Sequence, residues 1–565
     1  MTYVLLKPGI NSRAFSRKIM GFLQTKNKKA PLTLFLQKYS DKYLYGNYEN
    51  GTPAGGRIAY VRLFSIIAIF ILVIACINFM NLSTAKAIRR SKEVGIKKVM
   101  GASRRSLIVQ YLGESMLMTF FSLLFALILV WILLPEFNRI TGKELVFTLN
   151  TDLIGAVLLI TVLTGLIAGS YPALYLSKFN PVTALKGKFS ASVTELLMRK
   201  SLVVFQFAIS VIFIVSVLVI YRQMDFIRSK NLGYNKDNVL VFSNEGQLPG
   251  RFQSFMTDVK NLPGVANAAS FDNDLIGNHG GTDNVKWEGK KPDQKIEFSA
   301  LSIDYNLTET LGLQMAEGRT FSKSFGSDSA KIIFNQAAIQ VMGLKDPIGK
   351  TVTAWGNRYQ IIGVVKDFHF ESLYEKIKPC LLRVFPNNGN ILVKVRAGAE
   401  RETISNLQAL YKQYNPGLPF EYRFMDQDYQ ALYASEERVA VLSGYFAGMA
   451  IVISCLGLFG LAAFTAQNRQ KEISIRKVTG ASVSNMVLLL SKDFMKLVII
   501  AAVIAFPLAW WFMYTWLNAF AYRVSLSPGI FIAAFLAIVV IALLTVCYQS
   551  VKAAMANPVK SLRAD

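Results

Sequence analysis

Seven stretches of the sequence run without a single Asp, Glu, Lys or Arg for the length of a membrane crossing. They lie between Arg62 and Lys86, Glu114 and Glu136, Asp152 and Lys178, Lys200 and Arg222, Arg438 and Arg469, Lys496 and Arg523, and Arg523 and Lys552. A helix needs about 20 apolar residues to cross the hydrocarbon core, and each stretch is rich in Ile, Leu, Val, Phe and Ala. Core helices of a soluble protein do not reach that length in that number. The pattern therefore predicts a polytopic α-helical membrane protein with seven spans, the second starting near Leu107. Between 222 and 438 the pattern changes. Short alternating runs such as Asn238–Phe242, Lys331–Phe334 and Tyr359–Val365 are separated by helical segments and Gly/Asn/Asp turns, which predicts an α+β domain between the fourth and fifth spans.

Charge adds an orientation. From Arg222 to Arg438 there are 26 basic and 25 acidic residues, so nearly all of the net charge of +26 lies elsewhere. Connector 83–106 carries eight basic residues against Glu93 alone, whereas connector 135–152 carries two basic and three acidic residues. Short basic connectors stay in the cytoplasm, which puts the first inside and the second outside. Alternation then places 177–200, 467–486 and the C-terminus inside, and the 222–438 domain outside. Because the basic residues follow the membrane sides, no nucleic-acid partner is implied. Cys76, Cys455 and Cys547 fall in spans and Cys380 is alone in the outer domain, so neither a disulfide within that domain nor a CxxC metal site is expected.

The chain also repeats itself. Lys92–Ser103, KEVGIKKVMGAS, returns 379 residues later as Lys471–Ser482, KEISIRKVTGAS, with eight of twelve positions identical. After the third span, Asn180–Lys186 (NPVTALK) corresponds to Asn557–Arg563 (NPVKSLR), and Asn before Pro suits a helix start. Glu114 in the second span falls opposite Asp493. At the other end, Tyr3–Gly9 (YVLLKPG) and the helical segment to Leu23 resemble Ile391–Gly398 and the segment from there to Tyr411. Residues 1–60, with ten basic and two acidic side chains, read as the last part of an outer domain. A preceding span and most of a first outer domain are thus expected to be missing from this sequence. The expected organisation is 1–60, remnant of that domain; 61–187, first three-span repeat; 188–222, linker and fourth span; 223–437, outer domain; 438–565, second three-span repeat.

Taken in order, the paired loops, the NPVxxL exits, the Leu202–Ser210 span (LVVFQFAIS) and Gly363–Phe370 (GVVKDFHF) resemble the MacB/FtsX-like ABC transporter permeases, and more closely the two-repeat permeases common in Bacteroidetes-type bacteria. The resemblance covers essentially the whole chain. It implies a MacB-like periplasmic core domain and a cytosolic ABC ATPase partner whose ATP- and Mg-driven dimerisation is transmitted through the spans. It also implies that the loop after the first span of each repeat docks that ATPase. No GxxxxGK[ST] sequence occurs, so the chain lacks a P-loop and is not an enzyme by itself.

The ATPase-docking candidates are Lys92, Glu93, Ile96, Lys97, Lys98 and Gly101, with Lys471, Glu472, Ile475, Arg476, Lys477 and Gly480 in the second copy. Val94/Ile473, Ile96/Ile475 and Val99/Val478 are expected to offer the apolar contact. The bases suit acids of the partner or anionic lipid headgroups, and each Gly suits a helix C-terminus. Glu114 and Asp493 are intramembrane coupling candidates, with a statically paired interfacial carboxylate as the plainer reading. His279 and His369 are too few for a metal site, and Asp272, Asp274 and Asp283 lack EF-type spacing. Gln206, Gly457 and Gly460 read as packing residues.

The function expected is that of an inner-membrane permease subunit for export or extraction of an antimicrobial, peptide or lipoprotein, with membrane lipids around it and room for a periplasmic adaptor or outer-membrane component. The alternative is a regulator that moves a cell-wall hydrolase or signalling partner without substrate flux.

Overall fold

The computed structural model describes residues 3–26, 33–49, 52–148, 150–177, 193–272, 276, 280–291, 294–326, 328–385 and 388–555. Seven of its helices are long and apolar enough to cross a membrane: Ile58–Lys86, Arg104–Thr141, Thr151–Ser177, Leu197–Ser229, Ala434–Gln467, Val483–Leu517 and Pro528–Lys552. The chain is a polytopic helical membrane protein. Helix ends run past the charge-free stretches because peptide hydrogen bonding continues through the interfacial turns. The second span accordingly starts at Arg104 rather than near Leu107, and the sixth takes in Lys492, Asp493 and Lys496. Phe125 and Trp131 stand exposed on the second span, as expected of side chains that face lipid.

The residues divide into two compact units. The first comprises 1–214, 442–506 and 534–565. Here the second and third spans approach closely: a Cβ on Gly165 would lie 2.4 Å from Met116 Sδ, and one on Gly169 would lie 2.7 Å from Ser115 Cβ. Without side chains at these positions the two helices touch directly. The first and fifth spans meet at equivalent positions of the two repeats. Ile74 and Ile453 share an apolar cluster with Ile209, Phe213 and Ala450, and a Cβ on Gly457 would come within 2.8 Å of Asn78 Oδ1. Polar bonds tie in the fourth span: Ser210 and Ser454 hydroxyls lie 2.9 Å apart, and Gln206 Nε2 donates to the Ile453 carbonyl at 3.4 Å.

Near the start of the chain, helix Ser12–Ile19 is capped by Asn11, whose Oδ1 accepts from the Arg13 and Ala14 amides. The segment it resembles in sequence, after Gly398, forms helix Glu400–Tyr414. The preceding residues differ. Asn390–Val395 forms a strand with a neighbour on each side, whereas residues 3–7 pair with no strand among the described residues and Leu5 is fully exposed.

The second unit comprises 215–441 and 507–533. The strands among the described residues are β1 (Asn47–Glu49), β2 (Thr52–Gly55), β3 (Val239–Ser243), β4 (Val265–Phe271), β5 (Gly281–Thr282), β6 (Phe298–Ile303), β7 (Met315–Gly318), β8 (Lys331–Asn335), β9 (Thr351–Ala354), β10 (Asn357–Val365), β11 (Cys380–Val384), β12 (Asn390–Val395) and β13 (Tyr422–Phe424). β3 to β13 form one mixed sheet in the second unit, with the order β13-β3-β12-β4-β6-β11-β8-β10-β7, β5 pairing with β6 and β9 with β10. Two apolar cores share it. Helices Phe252–Asn261 and Glu400–Tyr414 cover β3, β4 and β12 through Phe242, Phe255, Leu407 and Tyr411. Helix Gln336–Met342 covers β8 through Ala338 and Met342, beside Trp287, Phe298 and Phe334. The α+β domain read from the alternating runs is present.

Candidate functional site

Each repeated loop is a helix, a glycine turn and the start of the next span. In the first copy the helix Ile58–Val99 ends at Met100, and Gly101 takes φ +95°. Ala102 N bonds to Lys97 O at 2.9 Å and Gly101 N to Lys98 O at 3.1 Å. In the second copy Ala481 N bonds to Arg476 O at 2.9 Å, Gly480 N to Lys477 O at 3.2 Å, and Gly480 also takes φ +95°. These paired bonds close a helix whose next residue is left-handed, a conformation that glycine adopts without a Cβ penalty. Ser103 then caps the second span by accepting from Ser106 N at 3.2 Å, and Ser482 caps the sixth by accepting from Asn485 N at 3.3 Å. The sequence GAS thus encodes the turn and the next helix cap.

The apolar residues of the loops split into two sets. Val94 packs with Leu107, Tyr111, Ala173 and Leu176, and Ile473 packs with Ala466, Met486 and Leu490. Val94 and Ile473 are buried against their own spans, which corrects the expectation that they face a partner. Residues i+2 and i+5 from them point away: Ile96 and Val99 are 50% and 65% exposed, Ile475 and Val478 56% and 69%. Between them run helical ion pairs, Glu93 to Lys97 at 2.9 Å and Glu472 to Arg476 at 2.8 Å. Lys97 also donates to Gln110 at 3.3 Å. Lys98 turns aside and donates to the Ser177 carbonyl at 2.8 Å. Lys477 is half-buried. The side chains of Lys92 and Lys471 lie outside the described residues, as do both NPVxxL segments, Asp274 and His279.

Glu114 and Asp493 each lie ten residues beyond the first residue of their helix, Arg104 and Val483, or about 15 Å at 1.5 Å per residue. Both side chains are exposed. Gln110 Nε2 donates to Glu114 at 3.5 Å, and Arg469 reaches Asp493 at 3.5 Å.

The second unit holds a junction that sequence reasoning missed. The loop between the sixth and seventh spans lies against residues 368–374 of the sheet domain. Ala521 N bonds to Tyr374 O and Tyr522 N to Leu373 O, both at 3.2 Å. The Tyr374 and Phe520 rings stack at 4.2 Å, and His369 meets Tyr522 edge-on at 4.6 Å. Gln223 holds the same loop with both ends of its amide, donating to Tyr522 O at 3.0 Å and accepting from Val524 N at 2.9 Å. Arg228 and Glu437 pair at 2.6 Å, and Tyr374 donates to Glu436 at 2.6 Å. Burial and the neighbouring Lys230 charge depress the His369 pKa to about 4, so its imidazole is neutral at pH 7. The available signal was aromatic density: Phe520 and Tyr522 in one short loop just after Trp516, Phe368, His369 and Phe370 in another.

Comparison with known families agrees with this layout. The FtsX-like permease C-terminal model matches residues 65–181 and again 444–558, and the MacB-like periplasmic core domain model matches residues 202–408. The chain belongs to the MacB/FtsX-like permeases. Among curated relatives, the macrolide export ATP-binding/permease protein MacB of Bdellovibrio bacteriovorus is 32% identical over 127 residues, 22% of this chain and 19% of that protein. The MacB of Mannheimia succiniciproducens is likewise 32% identical, over 124 residues. The permease thus aligns with about a fifth of the length of these relatives. Among solved structures, the periplasmic region of MacB from Actinobacillus actinomycetemcomitans matches with 16% identity and a TM-score of 0.27, covering 36% of the permease and 97% of that chain. The two FtsX-like matches contain one glycine-turn loop each, so the permease carries two complete copies of this element.

Proposed function

We propose that this permease is the membrane subunit of an ABC-type complex in the inner membrane, and that its two glycine-turn loops each seat on a cytosolic ATPase. The observation that carries the reading is the duplicate surface: the same exposed Ile and Val, flanked by the same Glu to base pair, on the same helix ending. An exposed apolar pair beside charges suits a partner groove, since burying it gains about 25 cal/mol per Å². Two equal surfaces match the two equal grooves of an ATPase dimer. ATP and Mg belong to that partner. The periplasmic domain receives the motion, and the work is export or extraction of an amphipathic small molecule, peptide or lipoprotein, in keeping with the macrolide export named for the relatives.

The test is purification of the permease from its native membranes in mild detergent, beside a variant carrying Ile96→Asp and Ile475→Asp. A P-loop ATPase retained by the native protein and reduced more than tenfold in the variant is the expected result. Equal retention by both would sink the docking surface, and no ATPase with the native protein in several detergents would sink the complex.

A further inference from the structure

A cavity of about 510 Å³ opens in the second unit, lined by Lys230, Gln314, Lys366, Asp367 and His369 among others. Its position follows from the chain. Lys230 is the residue after the apolar helix Leu197–Ser229, and the His369 ring that lines the cavity packs edge-on to Tyr522, in the loop between Leu517 and Pro528. Lys230 and Tyr522 thus sit one to six residues from span ends, in the headgroup zone where aromatic and basic side chains collect. That zone is rich in phosphates.

The charges in the cavity do not balance. Lys230 rests its ammonium over the rings of Phe226 and Tyr522, at 5.4 and 5.3 Å. Lys366 donates to the Gln314 side-chain oxygen at 3.0 Å. Among the described residues neither lysine forms an ion pair. Asp367, the carboxylate among the lining residues, accepts from Ala337 N at 2.9 Å through Oδ1 and keeps its charge, so the lining carries two cations against one anion. His369 adds no charge, because burial and the nearby Lys230 keep it neutral. Two cations and an imidazole that can donate a hydrogen bond therefore converge on a space of ligand size.

We propose that this cavity binds a phosphate-bearing anion, the headgroup of an anionic lipid in the leaflet on the sheet-domain side, through Lys230 and Lys366. A phosphate supplies the missing countercharge and accepts several hydrogen bonds at once. Other phosphate esters share that chemistry, so the source of the anion is part of the test.

His369 is the reporter. The chain has two histidines, so His279→Asn leaves His369 as the one imidazole signal in a 15N-histidine NMR titration of the whole protein in nanodiscs. In phosphatidylcholine discs its midpoint is expected near 4. In phosphatidylglycerol discs it is expected to rise by about one unit or more, a tenfold change, since a bound anion favours the imidazolium. The double variant Lys230→Gln with Lys366→Gln is expected to lose this lipid-dependent difference, and the Lys→Arg pair to keep it. A diffuse surface potential would act on the Gln variant just as on the native protein, so an equal shift in both overturns the site, as does no shift in either lipid. Glycerol phosphate added to phosphatidylcholine discs separates the sources: if it alone reproduces the shift, the anion site stands and the lipid assignment falls. Native mass spectrometry gives a second readout, with one fewer phosphatidylglycerol retained by the Gln variant as the expected result and unchanged retention overturning the lipid site.

Discussion

The two repeated loops share the backbone bonds of their glycine turns and the serine cap that follows, and differ in how they join their spans. In the first copy one helix of 42 residues, Ile58–Val99, runs without a break from the membrane to the turn. In the second, helix Ala434–Asn468 stops, Arg469 takes φ −95° and ψ 14°, and a separate helix of nine residues, Gln470–Val478, carries the exposed face. The Arg469 side chain is drawn to Asp493 at this point. Arg469 N still bonds to Thr465 O at 3.1 Å and Ile473 N to Arg469 O at 2.9 Å, so the departure lies in the dihedrals of this one residue. The exposed Ile and Val pair is duplicated, and the helix behind it is not.

The largest expected effect separates the inner faces. Ile473→Ala should loosen the short helix by about 2 kcal/mol or more, the cost of emptying a buried Ile site. Val94→Ala removes less volume from a helix that its span already holds, and about 1–2 kcal/mol is expected. Hydrogen exchange of the two loop helices would read both. Equal acceleration in the two copies would show that the break at Arg469 has no mechanical meaning.

Next in size are the glycines. Gly101→Val and Gly480→Val each force a β-branched residue into φ +95°, at about 1–2 kcal/mol for a left-handed L-residue. Retention of the ATPase should fall severalfold in each and further in the pair. If one copy tolerates the change fully, the loops are not equivalent docking elements. The smallest expected effect comes from Glu93→Arg and Glu472→Arg. Exposed helical ion pairs contribute about 0.3–0.5 kcal/mol, so circular dichroism and thermal melting should barely move. A clear loss of ATPase retention from either would then report a direct contact of the glutamate with the partner.

Much of this was legible in the sequence for identifiable reasons. A bilayer forbids charges over a fixed length, so the seven spans could be counted. A two-residue period marked β3, β8 and β10. Repetition exposed the paired loops and even the positions of Gly101 and Gly480. The inward turn of Val94 and Ile473 was not legible, because an interfacial helix has apolar contacts on two sides and composition does not say which residue takes which. The break at Arg469 carries no Pro or Gly to announce it. The junction of 368–374 with the loop around Phe520 joins segments some 150 residues apart in the chain, each too short for any periodicity.

The double hold of Gln223 on the last outer loop bears on how this permease can be instrumented. A side-chain amide that donates to Tyr522 O and accepts from Val524 N fixes that loop to the atom, so an epitope tag or fluorophore hairpin inserted at 520–526 would tear out the anchorage it was meant to observe. The matching connector of the first repeat, around Gly142–Glu144, is the place for a reporter.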